Sequence, residues 1–249
     1  MLNRKMKLKI FPSLDEAIIT TAIISFLIGL CMGIFLLFLK LSLKDYISSL
    51  ATLIAAFSGA WLAFHLTNRA KIRQEEEQKF MELSKALFVL SRQINAIRPV
   101  GSDVNEYSDN ERMAFQMPAY KMNDYIDLKI DFNGLAFLAS TEYVQDILEL
   151  TIEQERFEQV LECIRVRHQH YHEKVLPELV SNNLTNSRID ITEYKDRLRE
   201  DIYKGALQSA EQVRSEVDAY LKSSMRMYKR LNSIATSIFP KRRFIEIRG

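Results

Sequence analysis

Two apolar runs without an acidic or basic residue (His65 aside), Ala17–Leu39 and Ile47–Leu66, stand near the start of this chain with a short Lys-bearing turn between them. At 1.5 Å of rise per residue they reach roughly 34 and 30 Å as helices, enough to cross a hydrocarbon core of about 30 Å. The pair fixes the solvent before anything else. It predicts a two-helix transmembrane hairpin over 17–67, with a soluble load behind it. Arg4, Lys5, Lys7 and Lys9 precede the first run, as they would in a signal peptide. The run is too long for a typical signal core, however, and Phe38-Leu39-Lys40-Leu41 offers no small-residue cleavage site.

Orientation follows from the flanks. Four basic residues precede the first run, and Arg69, Lys71 and Arg73 follow the second. The intervening turn has only Lys40 and Lys44, offset in part by Asp45. Lys/Arg excess marks the cytoplasmic side, so both termini are predicted there, with Trp61 close to the interface.

Composition narrows the function classes. The net charge is +2, too small to argue for or against nucleic acid. Cys31 lies inside the first run and Cys163 in the soluble part, so no disulfide framework is expected and a reducing cytoplasm fits. Seven glycines occur, at 29, 33, 59, 101, 134, 205 and 249, and those beyond the hairpin are scattered. Phosphate-cradling loops need clustered glycines, so the P-loop, the dinucleotide fingerprint and the kinase glycine loop are all absent. There is no HExxH and no recognisable nucleophile setting. No cofactor, metal or catalytic residue is expected, and the chain reads as a non-enzyme.

The soluble part reads as helices. From Trp61 to Arg98 there is neither Gly nor Pro, and Ile72, Phe80, Leu83, Leu87, Leu90, Ile94 and Ile97 draw one stripe. The second span is expected to run on as a stalk over 68–98, stopped by Pro99 and Gly101. Ile126, Leu128, Ile130 and Phe132 alternate with Asp127, Lys129 and Asp131, the pattern of a short half-buried strand. Its partner would be the segment around Ala114–Met117 or another subunit. A second long helix is expected from Thr141 to about Pro177, carrying Val144, Ile147, Leu148, Phe157, Leu161, Ile164, Tyr171 and Val175. Ser181–Ser187 is a loop. Asp190 and Glu193 are spaced as a capping box for a third helix, which is expected to run almost to Pro240. The fold class is thus an all-α membrane protein: a hairpin, a long stalk helix and an antiparallel coiled-coil-like cytoplasmic bundle with a short β segment. In residue ranges this gives a basic N-terminus over 1–16, the hairpin over 17–67, the stalk over 68–98, the helical domain over 99–240 and a basic tail over 241–249.

Small residues recur every four positions in both spans: Thr21, Ser25, Gly29 and Gly33 in the first, Ala51, Ala55, Gly59 and Ala63 in the second. Such rows form grooves that let helix backbones approach closely. Either the two rows face each other and close the hairpin, or at least one joins protomers. Two helices cannot enclose a pore, so conduction requires a homo-oligomer. Hydroxyls of Thr20, Thr21, Ser25, Thr52 and Ser58 would then line its seam.

The remaining clusters are weaker. His168 and His172 share a helix face at a zinc-pair spacing while His170 points away, and Arg165, Arg167 and Lys174 would repel a dication. Solvated helix surface is the better reading, ahead of a basic stripe for nucleic-acid phosphates. Lys241, Arg242 and Arg243, with Arg248 beyond, form a tail suited either to phosphates or anionic lipid headgroups or simply to solubility.

In this architecture the chain resembles the two-transmembrane effector proteins of bacterial anti-phage defence systems, including those found beside retron reverse transcriptases. The local likeness is carried by Ser58-Gly-Ala-Trp-Leu-Ala-Phe-His-Leu-Thr-Asn-Arg69 running into the charged helix through Asn95, and by Leu135-Ala-Phe-Leu138 ahead of an acidic helix. The resemblance implies an abortive-infection toxin. An inhibitory protein or ribonucleoprotein complex would hold it silent, and on release it would oligomerise in the bilayer and permeabilise it. The alternative is a membrane-anchored coiled-coil scaffold or sensor that recruits a cytoplasmic partner.

Overall fold

A computed structural model describes residues 14–38, 43–107, 109–121, 125, 127–185 and 191–247. Arg4, Lys5, Lys7, Lys9, Lys40, Ile126, Asp190 and Arg248 lie outside the described residues. Two compact units emerge, Met1–Gln74 and Glu75–Gly249. Every regular element among the described residues is helical: α1 (Leu14–Phe38), α2 (Leu43–Glu106), α3 (Asn110–Phe115), α4 (Ala136–Ala139), α5 (Val144–His170), a π-helical turn (Tyr171–Val175), α6 (Leu176–Ser181), α7 (Ile191–Arg197) and α8 (Glu200–Ile238).

The first unit holds α1 and the beginning of α2. By length and composition one helix there is apolar enough to cross a membrane, starting at Ile47, and its apolar window is not buried inside the chain. Leu53, Ile54, Phe57, Trp61, Leu62 and Phe64 stand exposed along it. The stretch Ile24–Phe35 of α1 is also apolar, but shorter.

The second unit is built on the stripes the sequence shows. Leu83, Leu87, Leu90 and Ile94 of α2 are buried with Leu150 of α5 and Leu231 and Ile234 of α8. A second cluster continues with Ile97, Val100, Phe157, Val160, Ile164, Val213 and Val217. α2 and α5 therefore run in the same direction. α8 runs against α5, as three pairings at successive levels show: Asp146 with Arg230, Glu153 with Ser223, and the rings of Phe157 and Tyr220. Ile72 is exposed, and so are Val144 and Leu148, which the periodicity assigned to the core face.

Several expectations are corrected. α2 does not stop at Pro99 but passes through it to Glu106. A proline inside a helix costs about 3 kcal/mol or more, and burial of Ile97, Val100 and Val104 on either side offsets it. Gly101 is not a stop signal either: a Cβ there would lie 2.5 Å from Leu221 Cδ1, so its role is close approach to α8. Pro177 does not end the second helix. The π-helical turn over Tyr171–Val175 widens the ladder just before it, and Pro177 then sits in the first turn of α6, where its missing N–H is tolerated. The third helix is two, because Arg199 is extended (ψ 141°) between α7 and α8.

No strand forms among the described residues. The alternation over 127–131 is nonetheless real: Leu128 and Ile130 are buried, while Asp127, Lys129 and Asp131 are exposed. Two buried amides replace a partner strand. Gln93 Nε2 donates to Leu128 O at 2.7 Å and to Gln154 Oε1 at 2.8 Å, and Gln154 Oε1 accepts from Ile130 N at 3.3 Å. Side chains have taken over the hydrogen bonds of a ladder.

Candidate functional site

In the first unit the two small-residue rows are placed differently. Ser25 and Gly29 of α1, with Phe26 and Leu30, line a mostly apolar hollow of about 380 Å³ against Leu50, Leu53, Ile54, Phe57 and Ser58 of α2. A Cβ on Gly29 would meet Leu53 Cδ2 at 3.6 Å. The α1 row therefore receives large aliphatics rather than the second row. Ala51, Ala55, Gly59 and Ala63 are exposed, and nothing lies within 4 Å of a Cβ built on Gly59. At 3.6 residues per turn, Gly59 points nearly opposite the Leu50–Ile54–Phe57 face. The rows do not close on each other. Gly33 is buried and Thr21 exposed at the two ends of the α1 row.

Two threonine hydroxyls of α2 are spent locally. Thr52 Oγ1 donates to Ser48 O at 2.9 Å and Thr67 Oγ1 to Ala63 O at 2.8 Å, the back-bonding that satisfies Thr inside an apolar helix. Trp61 stacks on His65 with ring centroids 5.5 Å apart.

In the second unit a cleft of about 730 Å³ runs along the α5–α8 seam. Its buried carboxylates, Asp146 and Glu153, are already neutralised. Arg230 reaches Asp146 with Nε at 2.6 Å and Nη2 at 3.0 Å, and Asp146 holds the guanidinium pKa above its ordinary value. Glu153 pairs with Arg156 and accepts from Ser223 Oγ at 2.7 Å. Both carboxylates thus have partners within the seam, and no histidine lines the cleft. Chemically this is an ion-pair seam joining two helices.

Arg167 is the buried cation that the pattern reading passed over. Its Nη2 donates to Met113 O and Met117 O, both at 2.9 Å, and its Nη1 to Pro118 O at 3.1 Å. A guanidinium fork at the C-terminus of α3 satisfies carbonyls the helix cannot, and burial pulls its pKa down to about 10. Gln93, Gln154, Glu153 and Arg167 share one legible signal: each is polar yet falls at core spacing from a buried apolar neighbour, as Arg167 follows Ile164 by three.

The histidines are placed by packing. The His168 and His172 rings lie 4.4 Å apart, while the His170 ring fills the space left by Gly205, 2.9 Å from where its Cβ would be. Among the described residues no three metal-ligating side chains converge. Cys163 is a free buried thiol whose pKa burial pushes up.

The basic tail folds back. Arg242 pairs with Glu77 and stands 4.9 Å over the Phe80 ring, and Phe244 packs against Phe80 and Phe239. Tyr228 donates to Ile245 O. Lys241 and Arg243 remain exposed. No family model, no curated protein and no solved structure matches the chain.

Proposed function

We propose that the chain is a non-enzymatic, bilayer-embedded effector of a bacterial anti-phage defence system. In this reading α1 and the first part of α2 form a transmembrane hairpin in the inner membrane with both termini cytoplasmic. The soluble helices form the antiparallel coiled-coil-like domain that an inhibitory protein or ribonucleoprotein holds. On release, copies associate through the membrane and the bilayer leaks.

One observation carries the reading. Among the described residues nothing lies within 4 Å of a Cβ built on Gly59, in the exposed Ala51–Ala55–Gly59–Ala63 row, while α1 packs against Leu50, Leu53, Ile54 and Phe57. In lipid, helices associate by close backbone packing at such rows, and each hydroxyl contact adds only about 0.6 kcal/mol on average, so an assembly of this kind can be switched.

Induced expression with a potential-sensitive dye tests it. Rapid depolarisation that is lost on Gly59→Leu, at unchanged membrane insertion, supports the effector. An intact potential at full insertion rejects it and leaves the anchored scaffold or sensor.

A further inference from the structure

Two helix faces of the second unit leave large apolar side chains exposed, and their charges have opposite sign. On α2, Met81 and Phe88 are 47% and 48% exposed, with Lys85 and Arg92 following at the same spacing on that face. On α5, Val144 and Leu148 are each 54% exposed and Ile152 38%, bordered by the exposed carboxylates Glu142, Glu149 and Glu155. Arg156 and Arg230 stand on the same side, but Glu153 and Asp146 already engage them, so the border remains acidic. Steps of three and four residues keep each set on one side of its helix.

The two faces also match in height. α2 and α5 run the same way, and the Gln93–Gln154 hydrogen bond sets them level at an offset of 61 residues. Phe88 therefore stands at the level of position 149, between Leu148 and Ile152. Met81 stands at the level of Glu142, beside Val144, and Arg92 one half-turn below Glu155. Lys85 falls about 4.5 Å below Glu149, a gap a lysine side chain spans.

We propose that these faces meet between copies of this chain, the Met81–Phe88 face of α2 in one copy against the Val144–Ile152 face of α5 in the next. Second units set side by side with their helices in the same sense bring equal levels together. The two faces differ, so the contact is heterologous: each copy offers one of each, and assembly proceeds beyond a dimer into a ring or chain. Arg92–Asp127 is an exposed pair, and Lys85 is well exposed although its partner Glu82 is largely covered, so both cations keep donors for a further carboxylate. This contact deepens the self-association proposed above but does not depend on the bilayer leaking.

The test uses the full chain in membranes with Cys31→Ser and Cys163→Ala as background. Mild oxidation of Phe88→Cys combined with Leu148→Cys is expected to give a ladder of dimers, trimers and higher species, whereas either single cysteine gives monomer. An absent ladder, or dimers from a single cysteine, overturns the proposal. Lys85→Glu with Arg92→Glu in one copy, or Glu149→Lys with Glu155→Lys in another, should each weaken assembly by about tenfold or more. Mixing the two restores it, because each reversed face then meets its complement, and the restoration also shows that both variants are folded. Reversed copies that assemble as well as the unaltered chain, or a mixture that stays apart, overturn it too. Membrane potential is read separately. A ladder with intact potential upholds the contact and rejects leakage, and depolarisation without a ladder does the reverse.

Discussion

Leu53 Cδ2 lies 3.6 Å from the place a Cβ would take on Gly29, an ordinary van der Waals contact. The same construction on Gly59 meets nothing within 4 Å. Two glycines in similar four-residue rows therefore carry different loads. Gly29→Leu should wedge α1 from α2 and lower the thermal stability of the hairpin, whereas Gly59→Leu should leave the monomer's helicity and melting unchanged. Circular dichroism in micelles reads both, and equal destabilisation by the two variants would reject the asymmetry.

Arg167 holds three carbonyls at the end of α3. Arg167→Met keeps most of the side-chain volume but orphans those acceptors, each worth about 1–3 kcal/mol when left unpaired and buried. After local relaxation the loss should be about 3 kcal/mol in chemical denaturation. Arg167→Lys should recover only part, since an ammonium lacks the fork that reaches Met113 and Pro118 together.

Gly205→Ala sets helix propensity against space. The substitution gains about 1 kcal/mol of propensity, but its Cβ meets the rigid His170 ring at 2.9 Å. The net effect should be destabilising by about 1 kcal/mol. His170→Ala in the same chain should remove the clash and turn Gly205→Ala into a gain. A double-mutant cycle that shows simple additivity would refute the contact.

Tyr203 donates to the Glu111 carboxylate, and burial followed by Glu111 pushes its pKa up to about 12. An acid whose pKa is raised on folding stabilises the fold below its unfolded value and loses that contribution as pH rises through the folded one. The contribution of Tyr203 should therefore be complete below pH about 10 and vanish between about 10 and about 12. Tyr203→Phe should flatten that part of the stability profile. Tyrosinate absorbance, with Tyr203 ionising late in the unaltered chain, gives an independent reading.

Much of the fold was legible in the spacing of apolar residues, because a helix converts a 3–4 rhythm directly into a face. Leu83 to Ile97, Phe157 to Ile164 and Val213 to Leu231 are buried as that rhythm requires. Punctuation was less legible. Pro99 and Pro177 look like stops in sequence, yet tertiary burial and a π-helical turn carry the chain past both. The strand expected over Ile126–Phe132 failed for a similar reason. Its alternation fixed which side chains are buried, but a ladder needs a second backbone, and Gln93 and Gln154 supply the hydrogen bonds instead.

The small-residue rows mark the boundary between the two kinds of information. Sequence alone determined that the chain is helical, that a span starting at Ile47 has the length and composition to cross a membrane, and that each apolar helix carries a row of small side chains. It did not determine which rows were occupied. That depends on the rotation of α1 about α2, which turns Leu50, Leu53 and Phe57 toward the hollow beside Gly29. The same holds for Met81 and Phe88 and for Val144 and Leu148. Periodicity placed Val144 and Leu148 inside, and the packing of α5 against α8 turned them out, because a helix with apolar residues on two sides can bury only one against a given neighbour.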